Sequence, residues 1–341
     1  MTIPYFSVIV PVYNGGVAFV HCLDAIQQSQ FKDWELIVVD DGSTDDSATV
    51  AASYQATVLR NLDQQGPSGA RNLGATIAKG KYLCFIDADC EVYPETFARL
   101  ADKLDSCPQI DAVFGSYDDA PKARNCVAQF KNLMHHYVHQ TAQETCSTFW
   151  AGCGAIRREV FLNLGGFDVQ RYPRPSIEDI DLGYRLRQSG GTIALVKQAQ
   201  VKHHKAWTLF NLIKTDVCDR GIPWTQLLLS QKNGLMNDLN LKVSSRISVA
   251  FSFLLVILCS LSFLRVESIF LAGILAIALF IMNRPIYQFF YKKRGIVFLL
   301  QTIPLHWLYF FYSGVAFVLG HLYYWQSQRQ PNLVRNPELS A

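Results

Sequence analysis

The sequence predicts an α/β fold, a mostly parallel central sheet in its N-terminal part, followed by a C-terminal α-helical transmembrane region. Three observations carry this. Short runs rich in Val, Ile and Leu alternate with helical segments over roughly the first ninety residues. Clusters of Asp, Gly and Ser follow those runs, where parallel strands end. Beyond residue 241 the chain turns apolar and basic, in runs too long for strands.

The elements follow in order. FSVIV (6–10) is a β-branched run stopped by Pro11, the pattern of a buried strand. Residues 17–30 set Val17, Val20, Leu23 and Ile26 at helical spacing. ELIVV (35–39) is a second buried strand and runs into Asp40-Asp41-Gly42-Ser43; residues 43–46 can cap the helix after it. Residues 57–59 form a weaker third strand, and Gly66-Pro67-Ser68-Gly69 opens a helix over 70–78. YLCFI (82–86) is a fourth strand, ending in Asp87-Ala88-Asp89. This alternation predicts a parallel, doubly wound sheet, whose ligands sit at the carboxyl ends of its strands. Strands are also expected at 112–115, 151–157 and 192–201, and a helix at 179–188.

At 341 residues the chain is long for one domain, and its charge is divided. The first 240 residues hold 22 basic and 26 acidic side chains; the remainder holds nine and two. Neither part has the clustered basic surface of a nucleic-acid binder, so no nucleic-acid partner is expected. Nine scattered cysteines without a CxxC pair argue against a zinc ribbon or a disulfide framework and fit a reducing compartment. MTIPYFSVIVPVYN has no basic n-region, so no signal peptide is expected.

Residues 1–205 are read as the α/β domain. Residues 206–242, rich in Trp, Leu and Ile with interspersed basic residues, are read as an amphipathic, interfacial linker. About three spans are expected within 243–326, near 246–264, 267–283 and 296–324, and a tail over 327–341. Lys242 and Arg246 precede the first span, and Arg284, Lys292, Lys293 and Arg294 follow the second. The positive-inside rule then puts the N-terminal domain on the cytosolic side of a multi-pass protein of the inner membrane.

Asp87-Ala88-Asp89 is the sharpest chemical signal. Two carboxylates one residue apart, at the end of a buried strand, can share a divalent cation, and Mg²⁺ or Mn²⁺ suits oxygen ligands beside substrate phosphates. Asp40 and Asp41 close an earlier strand, where a carboxylate can accept from a base or a ribose hydroxyl. No GxGxxG follows the first strand, which sets aside a dinucleotide-binding dehydrogenase.

The ordered set SVIVPVYNGG (7–16), ELIVVDDGSTDDS (35–47), GPSGARNLG (66–74), YLCFIDAD (82–89), GGFD (165–168) and EDIDLGYRLRQSG (178–190) resembles family 2 glycosyltransferases of the GT-A fold over residues 6–205. The resemblance implies inverting transfer from a nucleotide-sugar, a UDP-sugar first, with Mn²⁺ or Mg²⁺. It implies that Pro11, Tyr13 and Asn14 border the nucleotide, that Asp40 meets the base with Asp41 near it, and that Arg71 braces the nucleotide or diphosphate. Asp87 would contact ribose or metal-bound water, with Ala88 between it and Asp89, which would hold the metal. WAGCGA (150–155) would line the sugar and acceptor site. Glu178 and Asp179 match the acceptor-side acidic pair, Asp179 as general base; inversion needs one such base. A histidine is expected at the metal from 203–204, and alternation with Val201 favours His203. No QxxRW motif follows; Asp219-Arg220-Gly221-Ile222-Pro223-Trp224 stands there instead, which favours a single transfer over chain extrusion. The apolar C-terminal part points to a lipid-linked acceptor, a polyprenyl phosphate or a glycolipid. The competing expectation is an inactive, membrane-anchored nucleotide-binding scaffold.

Overall fold

The computed structural model describes residues 3–61, 63–231 and 243–329. They fall into two compact units, Met1–Ala206 and Trp207–Ala341. Of the expected linker (206–242), residues 232–242, with Lys242, and of the expected tail (327–341), residues 330–341 lie outside the described residues.

The first unit opens with β1 (Phe6–Val12), α1 (Gly16–Gln27), β2 (Trp34–Asp40), α2 (Ser47–Ser53), β3 (Thr57–Arg60), α3 (Gly66–Ile77) and β4 (Tyr82–Ile86). It continues through β5 (Cys90–Val92), α4 (Thr96–Ser106), β6 (Ala112–Tyr117), α5 (Cys126–Thr141), β7 (Thr145–Cys146), β8 (Cys153–Arg157), α6 (Arg158–Asn163), α7 (Glu178–Gln188) and β9 (Ile193–His203). Among the described residues these strands make one sheet, in the order β3-β2-β1-β4-β8-β6-β9-β5, with β7 on β9. The pairs β1–β2, β1–β4, β2–β3 and β6–β9 are parallel. β8 runs antiparallel to both β4 and β6, and the short β5 and β7 run antiparallel to β9, so the sheet is mostly parallel along its longer pairings but not uniformly doubly wound. Strands β4 and β6 are buried along their whole length, which explains their near-continuous apolar sequence.

Register is what assembles the site. Val12 pairs with Asp40 and Ile9 with Phe85, so β1, β2 and β4 end along one edge. Ile86 pairs with Cys153, which lands residues 150–152 beside Asp87. Cys90 pairs with His203, which brings the end of β9 to the Asp89 turn. Helix α3 starts four residues before its expected onset because Asp41 caps it. The Asp41 carboxylate accepts from the backbone N–H of Gln65 at 3.0 Å and of Gly66 at 2.8 Å.

The second unit begins with α8 (Leu209–Lys214), passes through a π-helical turn, Thr215–Gly221, and continues as α9 (Ile222–Ser230). The described part of the expected interfacial linker is thus helical, with the π-helical turn between its two α-helices. Buried Asp216 lies on the π-helical turn and accepts from Tyr312 Oη at 2.8 Å. Then come α10 (Val243–Leu261), α11 (Ser268–Met282) and α12 (Arg284–Arg329). Among the described residues two helices, α10 and α12, are long and apolar enough to cross a membrane by length and composition. The expected middle span is α11, whose 15 residues reach about 22 Å against a hydrocarbon core of about 30 Å. The basic segment between the expected second and third spans is helical from Arg284, with Ile286, Tyr287 and Phe290 buried at helical spacing. Gly295, at φ 80° and ψ −175°, breaks that helix before the long apolar stretch.

Candidate active site

Asp87 and Asp89 leave the end of β4 in a tight turn closed by Cys90 N–H donating to the Asp87 carbonyl at 2.9 Å. The Asp89 Oδ2 lies 3.4 Å from His203 Nε2. Burial would push the Asp89 carboxyl up, but His203 and Lys205 together hold it below the usual carboxylate value. His203 stacks on Tyr117, with centroids 4.4 Å apart, and Tyr117 meets the edge of Trp150 at 4.7 Å. His204 faces elsewhere: its Nε2 is 2.8 Å from Glu91 Oε2 and its ring stacks on His21. Ligand atoms of Asp87, Asp89 and Cys90 lie within 4.8 Å of one another. The carboxylates suit a hard divalent cation; the fully buried Cys90, whose thiol burial pushes well up, does not.

The nucleotide-side residues are placed as follows. Pro11 is half-buried in β1, and Tyr13 is exposed at the strand's end. Asn14 has a left-handed backbone, φ 50°. Its Oδ1 accepts from Thr44 N–H at 2.8 Å and Asp45 N–H at 3.3 Å, so this side chain shapes the turn after β2. Ala88, between the two aspartates, packs partly against the core. Asp40 is fully buried; Oδ1 accepts from Ser43 N–H at 2.9 Å and Oδ2 lies 3.5 Å from Arg60 Nε. Asp41 is committed to capping α3 and to Asn61, whose Nδ2 donates at 2.9 Å. Three buried polar atoms around the start of α3 have no hydrogen-bond partner: Asp40 Oδ2, Ser68 Oγ and Arg71 Nε.

On the other side of β4, Glu178 and Asp179 start α7. Glu178 is buried: Oε1 accepts from Arg71 Nη1 at 3.0 Å and Oε2 from Ser176 N–H at 2.9 Å. Asp179 is half-buried, and its Oδ2 accepts from Ala151 N–H at 3.1 Å. Arg71 is 4% exposed and also donates from Nη2 to Asp87 Oδ1 at 2.7 Å. The resemblance set Arg71 against the nucleotide; in the fold its two terminal nitrogens hold two carboxylates.

Several residues of this frame were not singled out from the sequence. Asn72 donates to the Phe167 carbonyl at 2.8 Å and accepts from its N–H at 2.9 Å. Arg185 donates to Asp181 at 2.8 Å and to the carbonyls of Leu164 and Gly166. The Asp181–Arg185 pair has helical i,i+4 spacing and was open to reading; Tyr117 and Asn72 gave no signal without the topology.

Residues 7–165 match the sequence profile Glycosyl transferase family 2. The segment is a glycosyl transferase family 2 domain. Curated relatives of this domain include the uncharacterized glycosyltransferase YibD of Escherichia coli (strain K12). It is 42% identical over 98 residues, 28% of this chain and 28% of that protein. Glycosyltransferase GlyG of Streptococcus pneumoniae is 33% identical over 145 residues, covering 41% of this chain and 45% of that one. The chain thus spans less than half the length of these relatives. The mannosyltransferase PcManGT from Pyrobaculum calidifontis, solved in complex with GDP-Man and Mn²⁺, shares the fold. It has a TM-score of 0.54 at 16% identity, covering 98% of this chain and 89% of that one.

Proposed function

We propose that this chain is an inverting glycosyltransferase. It moves a sugar from a nucleotide-sugar, a UDP-sugar first among donors, to a membrane-associated acceptor at the cytosolic face. The observation that carries this is the meeting of two acidic sites on one strip of backbone. Asp87 N–H donates to the Gly152 carbonyl at 3.2 Å, and the neighbouring Ala151 N–H donates to Asp179. A donor held at the Asp87–Asp89 turn and an acceptor held at Asp179 are therefore presented to each other across residues 150–152.

Asp89, Asp87 and His203 are the residues that would hold a divalent cation, Mn²⁺ or Mg²⁺, whose charge would stabilise the departing diphosphate. The protein's own part is to orient and to move one proton. Asp179 takes the proton from the acceptor hydroxyl while that oxygen attacks the anomeric carbon from the face opposite the leaving group, which inverts the centre. The Ala151 N–H fixes the carboxylate's orientation for that task. If the acceptor is a phosphate, its oxygen is already ionised and Asp179 positions it instead. Glu178, closed in by Arg71 and Ser176, does not take the proton.

The acceptor is proposed as a polyprenyl phosphate or a glycolipid, because α10 and α12 offer membrane association that a water-soluble acceptor would not require. The test is full-length protein in lipid with radiolabelled donors, UDP-sugars and GDP-mannose, and Mn²⁺ or Mg²⁺. Label is expected in the organic-extractable fraction and lost with EDTA. Nucleotide binding without turnover across the panel would instead favour an inactive scaffold.

A further inference from the structure

Arg71 sits at the centre of a closed circuit of bonds. Its Nη2 holds Asp87 at 2.7 Å and its Nη1 holds Glu178 at 3.0 Å. Glu178 is the chain neighbour of Asp179, Asp179 accepts from Ala151 N–H, and the next residue, Gly152, accepts from Asp87 N–H. The circuit thus runs from donor-side carboxylate to acceptor-side carboxylate by two routes, one through the guanidinium and one through the backbone of residues 151–152. Nothing in the proposed chemistry needs Arg71 to touch a reacting atom. Yet a buried cation between two carboxylates adds little net stability after desolvation, so its use is better sought in geometry.

We propose that Arg71 is a positioning residue, a strut that fixes the metal-side Asp87 relative to the base-bearing start of α7. This rests on the glycosyltransferase reading and assigns Arg71 a role through Asp87 and Glu178, in place of a direct grip on the diphosphate. The planar guanidinium matters because its two terminal nitrogens reach carboxylates on different elements at once. A lysine ammonium is a point charge on a flexible stem and cannot fix both. The guanidinium plane is itself steadied by the Phe167 ring, whose centroid is 5.5 Å from Arg71 Cζ. Asn72, the next residue, holds the Phe167 backbone in both directions. One turn of α3 therefore fixes the strut and the loop that backs it.

The test uses full-length protein and the variants Arg71→Lys, Arg71→Gln, Glu178→Gln and the double variant Arg71→Gln/Glu178→Gln. Hydrogen exchange, which needs no turnover, is expected to rise both in residues 86–90 and in residues 177–182 for Arg71→Gln. In kinetics, kcat is expected to fall on the order of a hundredfold while donor KM stays within a few-fold, as for a misplacement of reacting groups by about 1 Å. Lysine is not expected to rescue, and the double variant is expected to be no slower than Arg71→Gln, because both cut the same route. The strut is overturned if exchange at 177–182 is unchanged. It is equally overturned if Arg71→Lys restores activity and Arg71→Gln loses only Mn²⁺–nucleoside diphosphate affinity while Glu178→Gln is silent. Absence of transfer by the unaltered protein would sink the glycosyltransferase reading, and the exchange result would still decide the strut.

Discussion

A carboxylate serves as a base only where substrate can reach it, and by that criterion Glu178 and Asp179 part company although they are adjacent. Glu178 is 5% exposed and one of its oxygens accepts from the buried Arg71 cation. Asp179 is half-buried and its oxygens accept from backbone, Oδ2 from Ala151 N–H and Oδ1 from Ile180 N–H. Asp179→Asn is therefore expected to lower kcat by about 10²- to 10⁴-fold with donor KM little changed. Asp89→Asn should instead weaken Mn²⁺-dependent nucleoside diphosphate binding, measured by calorimetry without acceptor. Equal loss of both quantities in both variants would contradict the division of labour. The aspartate pairs were legible because each follows a buried strand. Strand alternation also separates His203 from His204, since Val201 and His203 are buried on one face of β9. The partners of Arg71 were not legible: Glu178 lies 107 positions away in sequence, and only the strand order brings it close. Asp41 read as a ligand for the same reason, because its capping of a helix 25 positions on depends on how β2 and α3 pack.

At the scale of elements, α7 has to approach the 148–151 backbone closely to present Asp179, and Gly183 permits it. A Cβ at 183 would collide with the Phe149 backbone nitrogen. Gly183→Ala is expected to destabilise the first unit by roughly 1–3 kcal/mol and to slow transfer by pushing α7 off the loop; an unchanged melting temperature would refute this packing. Helix α5 makes a separate prediction through His139, whose Nδ1 is enclosed without a partner. Burial, assisted by neighbouring His136, lowers its pKa from 6.5 to about 4. The unfolded chain then binds this proton below pH 6.5 while the folded chain resists it down to about 4. Stability should accordingly fall as pH drops through that window and level off beneath it, by at most about 3 kcal/mol from this group. His139→Phe, in a surround that includes Phe114 and Trp150, removes the titration, and its stability measured by urea unfolding should vary less between pH 6.5 and 4. The parallel strands and the helices between them were readable from periodicity. β8 was readable as a strand but not in its direction, because period-two burial looks the same for a parallel or an antiparallel neighbour.

At the scale of the whole molecule, the charge asymmetry has a physical meaning. The acidic side chains to which the proposed function gives cation binding and proton abstraction all belong to the N-terminal part. The part beyond residue 241 is nearly free of acids, with nine basic residues and two acidic ones. Hydropathy located its apolar helices but not their limits. The basic run Lys292-Lys293-Arg294, which separates the second and third apolar stretches in sequence, continues a helix whose other face is buried. If this region provides access to a lipid acceptor, a chain of residues 1–206 should still bind nucleoside diphosphate with Mn²⁺ within a few-fold of the full-length affinity. It should stay in the supernatant after membrane sedimentation, and transfer to a lipid acceptor should drop below detection. Full-length protein should remain in the pellet after an alkaline carbonate wash, since two helices of spanning length would not be released by loss of electrostatic attraction alone. Recovery of the full chain in the carbonate supernatant would reduce the association to surface charge, and equal transfer by residues 1–206 would remove the reason for proposing a lipid acceptor at all.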